Sequence, residues 1–174
     1  MRRTPSFRTI SLKTAALKTA ALKTTTLAAA LILLSAAPSL ALDAAYRAES
    51  ASPPAAVWSK IGDFCGIAQW HPAVESCALS SKDGATLRTL ALKGGGAILE
   101  KLEARDDAAR SYSYSIISSP LPVREYQSVI SVVPTGSGSA VIWTGKFNAR
   151  DASDADAVKT IEGIYKAGAD VLVK

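Results

Sequence analysis

Between Glu75 and Ala149 the chain holds six runs of alternating apolar and polar residues, separated by five short turns. The runs span 75–81, 85–92, 97–105, 111–118, 124–133 and 139–149. The turns are Lys82-Asp83-Gly84, Gly94-Gly95-Gly96, Asp106-Asp107, Pro120-Leu121-Pro122 and Gly136-Ser137-Gly138. Period-two alternation marks strands with one buried face. A parallel connection needs about a dozen residues or more, so turns this short allow only antiparallel neighbours. Six strands in an antiparallel meander follow.

After the meander the period changes. Ala155, Val158, Ile161, Ile164, Tyr165, Gly168, Val171 and Leu172 recur at spacings of three and four, one apolar stripe along a long helix. Asp151, Ser153 and Asp154 are candidate caps for its start. Ahead of the meander, residues 44–51 read as a strand. Pro53-Pro54 opens a helix over Ala55 to Ile61, and Gly62 ends it. Residues 63–74 have room for a second short helix. The predicted fold class is α+β: a curved antiparallel sheet of about seven strands wrapped on a long C-terminal helix, with two short helices after strand 1. A sheet curved round a helix leaves space between the layers, and that space suits a ligand.

Residues 1–41 have a different character. Arg2, Arg3, Arg8, Lys13, Lys18 and Lys23 are opposed by no acidic residue. Leu27 to Leu34 is uncharged and apolar, Pro38 breaks the run, and Ser39-Leu40-Ala41 offers small residues where a signal peptidase reads. A basic start, a short apolar middle and a small-residue exit mark a secretory signal. The apolar run is short of the roughly 20 residues of a membrane span. The expectation is a cleaved signal peptide over 1–41, one domain over 42–174, and no membrane span after cleavage. The location is then periplasmic or secreted, with a Gram-negative periplasm as the first choice.

This division changes the charge argument. The chain holds 20 Lys and Arg against 15 Asp and Glu, a formal net charge of +5, which would suggest a nucleic-acid partner. Six of those basic residues lie in the leader. Residues 42–174 keep fourteen basic and fifteen acidic residues, a net charge near −1, so nucleic acid is dropped as a partner. Cys65 and Cys77 are the two cysteines. In an oxidising compartment they are expected to form a disulfide; two buried free thiols are the alternative.

The glycine turn at 94–96 brings run 85–92 against run 97–105. A register in which paired numbers sum to 188 sets Leu90 opposite Ile98 and Arg88 opposite Glu100, on the face that also carries Leu92 and Leu102. Other registers set Arg88 against Lys101, which repels. An Arg–Glu pair in an apolar pocket reads either as an anchor for a ligand's carboxylate or carbonyl, or as a neutralised pair that holds register. Tyr112 and Tyr114 share a face with Ile116, and Trp143 shares one with Val141 and Phe147. Turned inward, these aromatics line a pocket or pack a core.

Trp70-His71-Pro72 contains the sole histidine. His71 reads as a general acid or base oriented by Glu75 or Glu100, as a ligand contact at the pocket mouth, or as a loop residue bonded to backbone. No residue stands out as catalytic; His71 and Glu100 are the candidates. A single histidine, with both cysteines used elsewhere, leaves no metal site. There is no Gly-x-Ser-x-Gly elbow and no phosphate loop, and no cofactor is expected.

One ordered set of segments goes further. It runs Ile61-Gly62-Asp63-Phe64, Trp70 to Val74 with Ser76-Cys77, Arg88-Thr89-Leu90, Glu100-Lys101-Leu102, Tyr112-Ser113-Tyr114, Ser119 to Val123 with Tyr126, Trp143 to Phe147, and Ile164-Tyr165 with Gly168. In this order the set resembles the START and Bet v 1-like (SRPBCC) superfamily, in its branch of polyketide cyclase/dehydrase and lipid transport proteins. The resemblance covers nearly all of 42–174. It implies the helix-grip fold and a cavity for a hydrophobic small molecule, without implying one activity.

The expected function is therefore an exported binding protein, holding a hydrophobic or amphipathic ligand between sheet and C-terminal helix. Its candidate ligand residues are Trp70, His71, Arg88, Glu100, Tyr112, Tyr114, Tyr126, Trp143 and Phe147. Two alternatives stay open. One is a cyclase/dehydrase-type enzyme using the same cavity. The other is an accessory protein docking on an exported redox enzyme.

Overall fold

A computed structural model describes residues 41–174. The expected signal segment, as far as residue 40, lies outside the described residues. Strand β1 (Leu42–Ser50) leads into helices α1 (Pro54–Ile61) and α2 (Ile67–Trp70). Strands β2 (Val74–Lys82), β3 (Ala85–Leu92), β4 (Ala97–Asp106), β5 (Ser111–Ser118), β6 (Val123–Thr135) and β7 (Gly138–Ala149) follow, and helix α3 (Asp154–Leu172) ends the fold.

All seven strands form one antiparallel sheet in the order β1-β7-β6-β5-β4-β3-β2. The six-strand meander is the one the turns predict. The β2–β3 turn illustrates the cause: Asp83 (φ 51°) and Gly84 (φ 79°) both take positive φ, the conformation of a two-residue hairpin loop. Strand β1 pairs with β7, from Leu42 opposite Phe147 to Ser50 opposite Ser139, and so the first strand returns beside the last. Register shifts at Val74/Ser76, Leu99/Glu100, Leu102/Ala104 and Arg124/Gln127 interrupt the ladders. Such bulges bend strands and raise local twist, which curves the sheet.

Ser153 caps α3: its Oγ accepts the Asp156 N–H at 3.1 Å, and Asp154 and Asp156 lie in the positive first turn. The helix packs chiefly on β1 and β7. Its buried stripe is Ala157, Ile161, Tyr165, Gly168, Ala169 and Leu172. Two residues of the predicted stripe, Ala155 and Val171, instead face water. Alanines 157 and 169 take the buried positions because their small side chains let the helix sit close to the sheet. Tyr46 ties β1 to the helix, donating to Asp170 Oδ1 at 2.9 Å and accepting from Lys166 Nζ at 2.9 Å.

Cys65 and Cys77 form a disulfide across 5.5 Å between their α-carbons. It fastens the α1–α2 connection to β2. Among the described residues no helix is long and apolar enough to cross a membrane.

Candidate functional site

Sheet, α2 and α3 enclose a cavity of about 240 Å³. Helix α3 contributes Ile161 and Ile164, and α2 with its C-cap contributes Ile67 and His71. From the sheet come apolar side chains of β3, β4 and β5, including Leu90, Ile98 and Ile116, and the indole of Trp143 on β7. A larger cleft on the surface, beside Gly62 and Gln69, has mostly polar exposed walls. The cavity volume lies just below the range of about 300–1,000 Å³ that drug-sized ligands occupy.

Arg88 and Glu100 pair as the hairpin register predicts, with Leu90 opposite Ile98 beside them. Arg88 is wholly buried. Its Nε donates to Glu100 Oε2 at 2.5 Å and its Nη1 to the Phe64 carbonyl. The guanidinium lies 4.0 Å from the centre of the Phe64 ring and 5.0 Å from that of Tyr114, close enough for cation–π attraction. Arg88 does not border the cavity; Glu100 does. Burial pushes the Glu100 carboxyl above the usual carboxylate range, against the opposing pull of Arg88.

His71 also borders the cavity, and backbone engages both of its ring nitrogens. Nδ1 lies 3.2 Å from the Ala73 N–H, and Nε2 lies 3.1 Å from the Ile164 carbonyl. An N–H can only donate and a carbonyl can only accept, so the ring is neutral with its proton on Nε2. Burial, helped by the Arg88 charge, holds the imidazole below its ordinary range, against the bond to Ile164. The histidine thus pins the end of α2 to α3.

Tyr114, Tyr126 and Trp143 reach the cavity from the sheet. Behind them runs a buried hydrogen-bonded chain. Trp143 Nε1 donates to Tyr114 Oη at 3.1 Å and to Ser128 Oγ at 3.0 Å. The Tyr126 and Tyr165 hydroxyls are 2.5 Å apart, and Ser128 Oγ lies 3.2 Å from Tyr165 Oη and 2.7 Å from the Thr144 carbonyl. The indole of Trp143 stacks on the Tyr165 ring with centres 4.7 Å apart. Burial raises the phenol of Tyr165 to about 12 and those of Tyr114 and Tyr126 well above their ordinary value, so all three stay protonated.

The family model described as "Polyketide cyclase / dehydrase and lipid transport" matches residues 42–174. The chain belongs to this family. Among solved structures of the fold, the protein XoxI from Bacillus cereus is 34% identical, with a TM-score of 0.71 over 75% of this chain and 92% of that one. An uncharacterised protein from Bacillus thuringiensis is also 34% identical, with a TM-score of 0.69 over 76% and 96%. The Zhui aromatase/cyclase from Streptomyces sp. R1128 shares the fold at 16% identity, with a TM-score of 0.61 over 76% and 92%. No curated protein matches.

Five of the nine candidate ligand residues of this family member therefore border the cavity: His71, Glu100, Tyr114, Tyr126 and Trp143. The other four are buried but do not border it. Trp70 donates from Nε1 to the Ile61 carbonyl at 3.2 Å and meets Trp143 edge-on. Tyr112 packs between Trp58 and Phe64, and Phe147 stacks on Tyr126. Arg88 stands behind Glu100, so the carboxylate faces the cavity where an arginine anchor was one of the readings. Sequence reasoning missed Ser128 and Tyr165 as polar partners of the site. A serine on the inward face of β6, between Tyr126 and Ile130, was the available signal, because a buried hydroxyl needs a partner.

Proposed function

We propose that residues 42–174, after removal of an export signal, act as a binding protein for a small hydrophobic or amphipathic molecule held between the sheet and α3. One observation carries this reading: an apolar cavity of about 240 Å³ whose wall, among the described residues, includes a single carboxylate, Glu100. Apolar burial supplies affinity, and a few directed polar groups supply orientation. Family membership supports a hydrophobic ligand. The size of the cavity favours a compact molecule over a two-chain lipid.

Export is supported by the leader pattern and by the Cys65–Cys77 bridge, which suits an oxidising compartment. Strand β1 begins at Leu42, so cleavage after Ala41 leaves the fold whole. N-terminal sequencing of the protein from its own host should find a start at or near Leu42. An intact Met1 on the mature protein refutes export by cleavage.

Native mass spectrometry of the same material tests the binding reading. A small-molecule adduct is expected, and it should disappear in Ile161→Trp, which fills the cavity. The reading fails if there is no adduct and an apolar ligand panel causes no rise in melting temperature.

A cyclase or dehydrase reading draws on one observation, the Glu100 carboxyl facing the cavity as a potential acid or base. His71 adds nothing to that chemistry while both its nitrogens hold backbone. An exposed apolar patch around Trp70 would favour docking on an exported partner, but Trp70 is only 7% exposed.

A further inference from the structure

The hydrogen bonds around the cavity have a direction. The Thr144 carbonyl can only accept, so Ser128 Oγ spends its proton there, at 2.7 Å. Ser128 must then accept from Tyr165 Oη, and Tyr165, its proton spent, accepts from Tyr126 Oη at 2.5 Å. The Trp143 N–H is spent on Tyr114 and Ser128, and the His71 N–H on Ile164.

Among the described residues that border the cavity two groups remain uncommitted; Arg88 Nη2 and Tyr112 Oη also lack partners, but neither residue borders it. The Tyr114 hydroxyl accepts from Trp143, and its own proton has only Tyr126 Oη, at 3.4 Å, beyond good bonding distance. Glu100 gives Oε2 to Arg88, and among the described residues Oε1 accepts no hydrogen bond. Glu100 stands opposite Ile116 and Leu102 opposite Tyr114, so Glu100 and Tyr114 are diagonal neighbours on adjacent strands. Diagonal neighbours stand about 7–8 Å apart; no hydrogen bond joins these two side chains, and one small group placed between them can meet both.

The cavity wall thus offers one strong acceptor and one free donor side by side. From this we infer that the ligand carries a hydroxyl group on a compact apolar body of one or two rings. The hydroxyl donates to Glu100 Oε1 and accepts from Tyr114 Oη, which one oxygen does at once. A carboxylate meets the Glu100 charge without reaching Arg88 behind it. A pure hydrocarbon leaves Oε1 buried and unpaired. This inference rests on the binding reading above.

Calorimetric titration with 2-naphthol, naphthalene and 2-naphthoate at pH 7 tests it on the unaltered protein. 2-Naphthol should bind about tenfold or more tightly than naphthalene, the worth of a bond to a charged acceptor, and 2-naphthoate should bind least. In Tyr114→Phe, which removes the donor and leaves the Arg88–Glu100 pair intact, the advantage of 2-naphthol over naphthalene should shrink to about threefold or less. Equal affinity for 2-naphthol and naphthalene, or tightest binding of 2-naphthoate, overturns the hydroxyl assignment alone. Failure of all three to bind overturns the cavity reading and this inference with it.

Discussion

The hydroxyl of Tyr165 lies against the α-carbon of Gly145, in the space that a β-carbon would occupy. Helix α3 and strand β7 approach this closely because residue 145 has no side chain. The approach carries the hydroxyl to Ser128 and Tyr126.

Gly145→Ala should therefore displace the hydroxyl and cost about 1–3 kcal/mol, the usual range for overpacking. Removing the obstructing oxygen with Tyr165→Phe should lower the cost of the alanine. Urea unfolding of the two single variants and the double variant measures this. Purely additive effects would mean that the two residues do not interact.

Two glycines of α3 should respond to alanine with opposite signs. A β-carbon on Gly163 meets nothing within 4 Å, whereas one on Gly168 would sit 2.6 Å from His71 Cδ2, 2.8 Å from Trp70 and 2.9 Å from Trp143. Gly163→Ala should stabilise by about 0.5–1 kcal/mol through helix propensity. Gly168→Ala should destabilise despite the same gain, because three rings must move. Thermal melts of both variants decide it.

Breaking the Arg88–Glu100 pair from one side should be severe. Arg88→Met strands a buried carboxylate and should cost about 3–5 kcal/mol. Adding Glu100→Leu should restore much of that loss, since neither charge then remains buried. A double variant less stable than Arg88→Met alone would contradict this account.

His71 should make stability fall in mild acid. Its folded-state pKa is lowered by burial, so below the unfolded value of about 6.5 the unfolded chain takes up a proton that the folded one resists. The contribution is full above that pH and is lost as the pH falls toward the folded value. Glu100, raised by burial, works in the opposite sense, losing stability as the pH rises from about 4.5. Comparing the unaltered protein with His71→Gln between pH 7.5 and 5 isolates the histidine, the only one in the chain. The melting-temperature slope of the two should differ, with the steeper acid loss in the unaltered protein.

Reducing the Cys65–Cys77 bridge should cost about 3 kcal/mol, given the twelve-residue separation. Unreduced protein should be two hydrogens lighter than the thiol form by mass spectrometry. The bridge neighbours Phe64, whose carbonyl receives Arg88, so the loss should exceed that of a tether on a free loop. Chemical unfolding of the double serine variant provides the number.

Much of the architecture was legible in the sequence because its causes are local. Alternation, turn glycines and the Asp83-Gly84 loop act within one hairpin, and a meander is a chain of hairpins. The Arg88–Glu100 register was readable for the same reason, since the Gly94-Gly95-Gly96 turn sets which residues face each other. The helix stripe was read with an error at Ala155 and Val171, because spacing ranks apolar residues by type and cannot weigh how closely an alanine lets a helix approach.

The site divides along that line. By itself the sequence determined the fold class and an inward set of aromatic and charged residues, since inward and outward alternate along a strand. Only the tertiary structure decided which of those residues meet the cavity. Tyr165 and Ser128 are 37 residues apart, and no local pattern joins them. Arg88 and Glu100 share a rung of the sheet, yet the Phe64 carbonyl draws the guanidinium away and leaves the carboxylate facing inward. That choice of charge depends on a backbone oxygen 24 residues distant, placed by the packing of α1 and α2 against the sheet.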